Sequence, residues 1–148
     1  MQDTINAMVS QCPESTIVVG GYSQGAAVVH RAVEELSAAT MDRIAGVLTY
    51  GDTQKQQDNN QVPNFDPAKT MIICARGDLV CVGTLTILPA HLSYGADADE
   101  GAAFLNQMIA QAQGAAAAKK ARREVEAVVK READELNEKM KRAVGNVA

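Results

Sequence analysis

A three-stranded parallel β-sheet flanked by helices, followed by an appended long C-terminal helix, is the architecture this sequence predicts. Three observations carry the expectation. Short β-branched runs recur at residues 16–19, 44–50 and 71–74. Helix-periodic segments lie between and around them, which is the alternation of an α/β class. Composition then shifts abruptly near Gly114, beyond which Gly, Pro, Cys and Thr give way to Ala, Lys, Arg, Glu and Val.

Taken in order, residues 1–11 place Ile5, Met8 and Val9 on one helical face, and Cys12-Pro13 ends that helix. Residues 16–19 form a buried strand closed by Gly20-Gly21. Residues 26–39 read as a helix, with Ala27, Val28, Ala32, Val33 and Leu36 at three- and four-residue spacing. A second strand over 44–50 is broken by Gly51-Asp52, and the polar stretch 54–66 with Pro63 is a loop. Residues 71–74 form the third strand, 89–99 are irregular, and 102–112 return to helix.

Charge divides the chain at the same seam as composition. Residues 1–114 hold 5 basic and 12 acidic side chains, a balance of −7, and residues 115–148 hold 9 and 6, a balance of +3. The overall charge of −4 and the 3% aromatic content argue against a nucleic-acid partner, which needs a basic face and stacking rings. No apolar run reaches the roughly 20 residues of a membrane span, and no secretory h-region follows Met1.

The chemistry is read at the end of the first strand. Gly21-Tyr22-Ser23-Gln24-Gly25 is a G-x-S-x-G element between a strand and a helix. A serine there sits on a tight, strained turn, and the flanking glycines allow close packing. The helix N-terminus behind it offers amides and a positive dipole end to a developing oxyanion. Ser23 then needs a base and an orienter for that base. His30, seven residues on along the helix, lies about 10 Å away at 1.5 Å per residue and reads as a surface or internally satisfied histidine. His91, in a loop after Pro89-Ala90, is the candidate base. Asp78 is the candidate acid and Asp52, after the second strand, its rival; the order Ser23, Asp78, His91 is that of α/β-hydrolases. Asp97, Asp99 and Glu100 read as a solvated loop. This serine chemistry calls for no cofactor.

Cys74 and Cys81 can close a small loop around Asp78. Zinc is the alternative, but there are only three cysteines and no partnering histidine spacing, so a disulfide and an oxidising compartment are favoured over a metal. Cys12 is left over.

Longer motifs occur in a characteristic order: Cys12-Pro13, Gly20-Gly21-Tyr22-Ser23-Gln24-Gly25-Ala26, Ile44-Ala45-Gly46-Val47, Val62-Pro63-Asn64, Cys74 with Gly77-Asp78-Leu79-Val80-Cys81, and Pro89-Ala90-His91-Leu92-Ser93-Tyr94-Gly95. With these, residues 12–105 resemble the cutinase family of secreted fungal serine esterases. The resemblance implies Ser23 as nucleophile, Asp78 as orienting acid, His91 as general base, the Gln24 N–H as an oxyanion donor, and a Cys74–Cys81 disulfide. It implies that Tyr22, Leu85, Ile87 and Leu92 line an open acyl groove; plain core packing is the other reading of the three aliphatic residues. The substrate would be a cutin-like polyester or a short-chain lipid ester, and the protein extracellular.

The same resemblance leaves parts of the family pattern unmatched. The first strands of its sheet, its second oxyanion donor and a partner for Cys12 have no counterpart here, so a truncated α/β-hydrolase with an open edge at residues 16–19 is expected. A complementing protein chain is the implied partner. Residues 1–114 form the hydrolase segment in this reading. Residues 115–148 match nothing in the family and read as an engineered helix, with a stripe that includes Ala121, Val125, Val128, Val129, Leu136, Met140, Val144 and Val147, interrupted by Glu132, and a stop at Gly145. That stripe serves as a docking element or packs on the hydrolase face.

Overall fold

A computed structural model describes residues 1–145, and side chains to residue 142. Val147 and the chain beyond the expected stop at Gly145 lie outside the described residues, and the side chain of Val144 is likewise not described. The elements are α1 (Gln2–Gln11), β1 (Ile17–Tyr22), α2 (Gln24–Glu34), α3 (Ala38–Met41), β2 (Ile44–Tyr50), β3 (Thr70–Ile73) and α4 (Ala98–Gly145). Short 3-10 turns cover Pro67–Lys69, Leu79–Val82, Pro89–Leu92 and Tyr94–Asp97. The chain divides into two compact units, Met1–Ala112 and Gln113–Ala148.

The sheet is three-stranded and parallel in the order β1-β2-β3. Val19 pairs with Val47 and Tyr22 with Tyr50 on one side of β2, and Tyr50 with Ile73 on the other. β2 is central, and its residues are buried up to Tyr50, which is half-buried, because both of its faces are covered. On one face Ile5 of α1, Val29 and Val33 of α2, Leu36, Val62 and Phe65 close over Ile17, Val19, Ile44 and Val47. On the other, the first turns of α4 approach so closely that a Cβ on Gly46 would lie 3.0 Å from Met108 Cγ. Gly101 admits the same approach from the helix side, beneath Leu48 and Tyr50. β1 is an edge strand, and its side chains alternate between buried Ile17 and Val19 and exposed Val18.

Several boundaries differ from expectation. Gly20-Gly21 does not close β1; the strand runs through to Tyr22, and the chain reverses at Ser23. The helix expected over 26–39 is two helices. α2 starts at Gln24, directly out of the serine turn, and ends at Glu34. Leu36 turns into the core, and Ser37 opens α3 by accepting the Thr40 N–H at 3.2 Å. A serine that caps so well competes with helix continuation. Residues 89–99 contain two 3-10 turns, and the helix expected at 102–112 begins at Ala98, taking Asp99 and Glu100 out of the expected loop and into its first turn. No break occurs at Gly114: helical backbone is continuous from Ala98 to Gly145.

Candidate active site

Ser23 stands at the junction of β1 and α2 with φ 56° and ψ −121°, a left-handed conformation that a non-glycine residue adopts only under constraint. Two contacts supply the constraint. The Ser23 N–H donates to the Tyr50 carbonyl at 2.9 Å, tying the turn to β2. Gly21 and Gly25 pass so close that a Cβ on Gly21 would sit 2.5 Å from the Gly25 oxygen. The hydroxyl is thereby held at the carboxyl end of the sheet. Gln24 is the first residue of α2, so its N–H belongs to the unpaired amides of the helix's first turn.

His91 is carried by the Pro89–Leu92 turn and is 2% exposed. Its Nε2 lies 2.8 Å from Ser23 Oγ and its Nδ1 2.8 Å from Asp78 Oδ2. A carboxylate can only accept, so Nδ1–H donates to Asp78 and bare Nε2 accepts the Ser23 hydroxyl proton. Space for the imidazole comes from Gly51, where a Cβ would fall 2.8 Å from His91 Cε1. The Tyr22 hydroxyl donates to the His91 carbonyl at 2.5 Å, and its ring stacks on the imidazole at 5.2 Å. The His91 imidazole is therefore fixed from its backbone, its ring face and its far nitrogen.

Asp78 is buried just beyond β3. Its Oδ1 accepts the Val80 N–H at 3.0 Å, and its Oδ2 accepts from His91 and, at 2.5 Å, from the Tyr94 hydroxyl. Burial pushes the carboxyl up, but the hydrogen bonds from Tyr94, His91 and Val80 outweigh it and hold Asp78 below the ordinary carboxylate range. The Tyr94 hydroxyl also accepts the Ala75 N–H at 3.0 Å. Burial, together with its bond to Asp78, pushes the Tyr94 phenol up to about 12. The Cys74–Cys81 disulfide is present, with Cα atoms 6.2 Å apart, and closes the loop that presents Asp78. Cys12 is free, and no cluster suited to a metal ion occurs among the described residues.

Asp52 does not compete for His91. It belongs with His30, which is fully buried rather than at the surface. His30 Nε2 meets Asp52 Oδ2 at 2.9 Å, and Nδ1 meets Asp58 Oδ2 at 2.7 Å. Thr49 donates to Asp52 at 2.6 Å, the Gln54 N–H does so at 2.8 Å, and Arg31 pairs with Asp58. Burial pulls the His30 pKa down, but the two carboxylates more than reverse this and raise it. Asp52 is held low by the same partners against its own burial. This second pair ties the 52–58 loop to α2 behind the serine turn.

Leu85, Ile87 and Leu92 are 87%, 62% and 72% exposed, so none of the three is core. Leu92 and Tyr22 line one open pocket with Tyr50, Tyr94, Gly95 and Ala98. Leu85 and Ile87 stand outside it, in a segment that also exposes Leu79, Val82 and Leu88. Sequence reasoning missed those last three and the part played by Tyr94. The tyrosine lay inside a quoted motif, but nothing in its spacing showed that its hydroxyl turns back onto Asp78.

A serine, an imidazole and a carboxylate converge here on a G-x-S-x-G turn, and comparison with known proteins gives that convergence a lineage. The sequence profile of the family described as Cutinase matches residues 1–109. The chain belongs to the cutinase family. Cutinase CUT2 of Pyricularia oryzae is 57% identical over 101 residues, covering 68% of this chain and 47% of that protein. Probable cutinase 5 of Aspergillus terreus is 47% identical over 100 residues, covering 68% and 46%. Among solved structures, a Trichoderma reesei cutinase in complex with a C11Y4 phosphonate inhibitor aligns with a TM-score of 0.69 at 43% identity, over 74% of this chain and 48% of that one. A cutinase-like protein from Cryptococcus sp. aligns at 0.63 and 26% identity, over 72% and 67%. This member of the cutinase family thus spans about half the length of the curated relatives it matches.

Proposed function

We propose that the chain carries the catalytic centre of a cutinase-type carboxylic ester hydrolase, located in residues 1–114, with 115–148 taking no part in the chemistry. The observation that supports this most directly is the unbroken relay Ser23–His91–Asp78, with 2.8 Å at each step. Ser23 Oγ attacks the ester carbonyl carbon while His91 Nε2 takes its proton. Asp78 holds the imidazole in the required tautomer and balances the imidazolium that forms. The tetrahedral oxyanion accepts from the Gln24 N–H at the start of α2. Collapse of the intermediate expels the alkoxide, which takes the proton from His91 and leaves an acyl-Ser23. Water, deprotonated by His91, then releases the acid and restores the hydroxyl.

An extended apolar ester fits the surroundings. Leu85, Ile87 and Leu92 offer exposed apolar surface close to His91 along the chain, and the exposed Tyr22 stacks on the His91 ring, which suits a cutin-like polyester or short-chain lipid ester. A secreted location accords with the Cys74–Cys81 disulfide. One oxyanion donor is assigned, and losing one donor typically costs about 10²–10³ in turnover. Full rate is therefore expected to need a complementing segment that covers the β1 edge. A fluorophosphonate probe and hydrolysis of p-nitrophenyl butyrate test the proposal. Labelling should occur and vanish in Ser23→Ala; an unlabelled, folded chain would sink the assignment and leave an interaction protein.

A further inference from the structure

The unit Gln113–Ala148 contains a single described element, the distal part of α4. Among the described residues of that unit nothing covers Val125, Val128, Val129, Leu136 and Met140, which lie along one stripe and are exposed. A helix this charged gains most of its stability in water by burying such a stripe. We propose that the stripe is a homodimer interface, in which residues 116–140 of two copies pack antiparallel and centred near Val128.

Charge selects both the occupant and the direction. At about 100° per residue, Lys120, Glu124, Arg131 and Glu135 run along one border of the stripe, and Glu126 and Lys130 along the other. A parallel, in-register pair brings opposite borders together. Glu126 would then face the second copy's Glu124, and Lys130 its Arg131, like charge against like. Glu132, the acid inside the stripe, would meet its own copy. An antiparallel pair brings identical borders together instead. Glu124 faces Arg131, Lys120 faces Glu135 and Glu126 faces Lys130, each contact occurring twice by symmetry. The two Glu132 residues are separated along the axis, each coming level with the second copy's Glu124, a like-charge approach that the six opposite-charge contacts outweigh.

The apolar levels agree with that register. Val128 meets Val128, and Leu136 lies over Ala121, a large side chain against a small one. Within the chain, Arg122 holds Glu126 at 2.9 Å and Lys141 holds Glu138 at 2.9 Å. Glu124, Lys130, Arg131 and Glu135 have no ion pair of their own among the described residues, so they are free to pair between copies.

Sedimentation of the full chain at micromolar concentration should give twice the 15.7 kDa chain mass. Val128→Lys with Leu136→Lys should return it to monomer without loss of helical circular dichroism, and Glu132→Leu should tighten the dimer. Direction is read by disulfide trapping in a Cys12→Ser background. Tagged Ala121→Cys chains mixed with Glu135→Cys chains should give the mixed 121–135 product. A monomeric parent chain, a dimer that survives the double lysine variant, or 121–121 trapping in place of the mixed product would each overturn the proposal.

Discussion

At the scale of single residues, the site depends on groups outside the Ser23, His91 and Asp78 set. Tyr94 donates to the same Asp78 oxygen that His91 uses. Tyr94→Phe removes a hydrogen bond to a charged acceptor, worth roughly 1.5–3 kcal/mol. Asp78 is held low, so its contribution to stability is present above its unfolded value of about 3.9 and is lost as pH falls through the lower folded value. Without the tyrosine hydroxyl that folded value rises, and acid unfolding followed by circular dichroism should begin at a higher pH. Gly51 is the second such residue. It combines a φ of 54° with direct contact on the imidazole. In Gly51→Ala the added methyl displaces His91, and a shift of about 1 Å can cost around 10² in rate. Fluorophosphonate labelling should slow by that order, while the melting temperature falls by only a few degrees; unchanged labelling would refute the steric role.

Elements show what was legible in the sequence and what was not. The three strands and the serine turn could be read because periodicity and motif spacing are local properties. The break between α2 and α3 escaped because two signals conflict within residues 34–37. Helical spacing continues through Leu36, yet Ser37 is a stronger cap than a helix interior residue. Asp52 and Asp78 could not be separated by the same logic. Both follow strands, and their partners depend on which strand is central. β2 delivers Asp52 beneath α2 to His30, whereas β3 delivers Asp78 to the loop bearing His91. β2 also carries most of the packing. Ile44 is fully buried at its start, and Ile44→Ala should destabilise the fold by about 2–5 kcal/mol, measured by urea unfolding. A cost under 1 kcal/mol would mean that the sheet is not packed on both faces.

Across the whole molecule, the buried His30 pair sets a pH window. The His30 pKa is raised, so its contribution is complete below the unfolded value of about 6.5 and is lost as pH rises through the folded value. Asp52 works in the opposite sense, contributing above about 3.9 and losing that contribution as pH falls through its depressed folded value. Thermal stability should therefore be greatest between those limits and decline on the alkaline side. His30→Gln, although less stable throughout, should lack the decline that sets in above about pH 6.5. An alkaline limb that persists in the variant would place its origin elsewhere.

The wedging of the Tyr94 oxygen between an amide and a carboxylate has a spectroscopic consequence. Its phenol loses a proton only near pH 12, so its phenolate absorbance should emerge late in an alkaline titration. With three tyrosines and no tryptophan, that ultraviolet signal has few competitors. The protein therefore carries its own optical gauge of whether Tyr94 still holds Asp78.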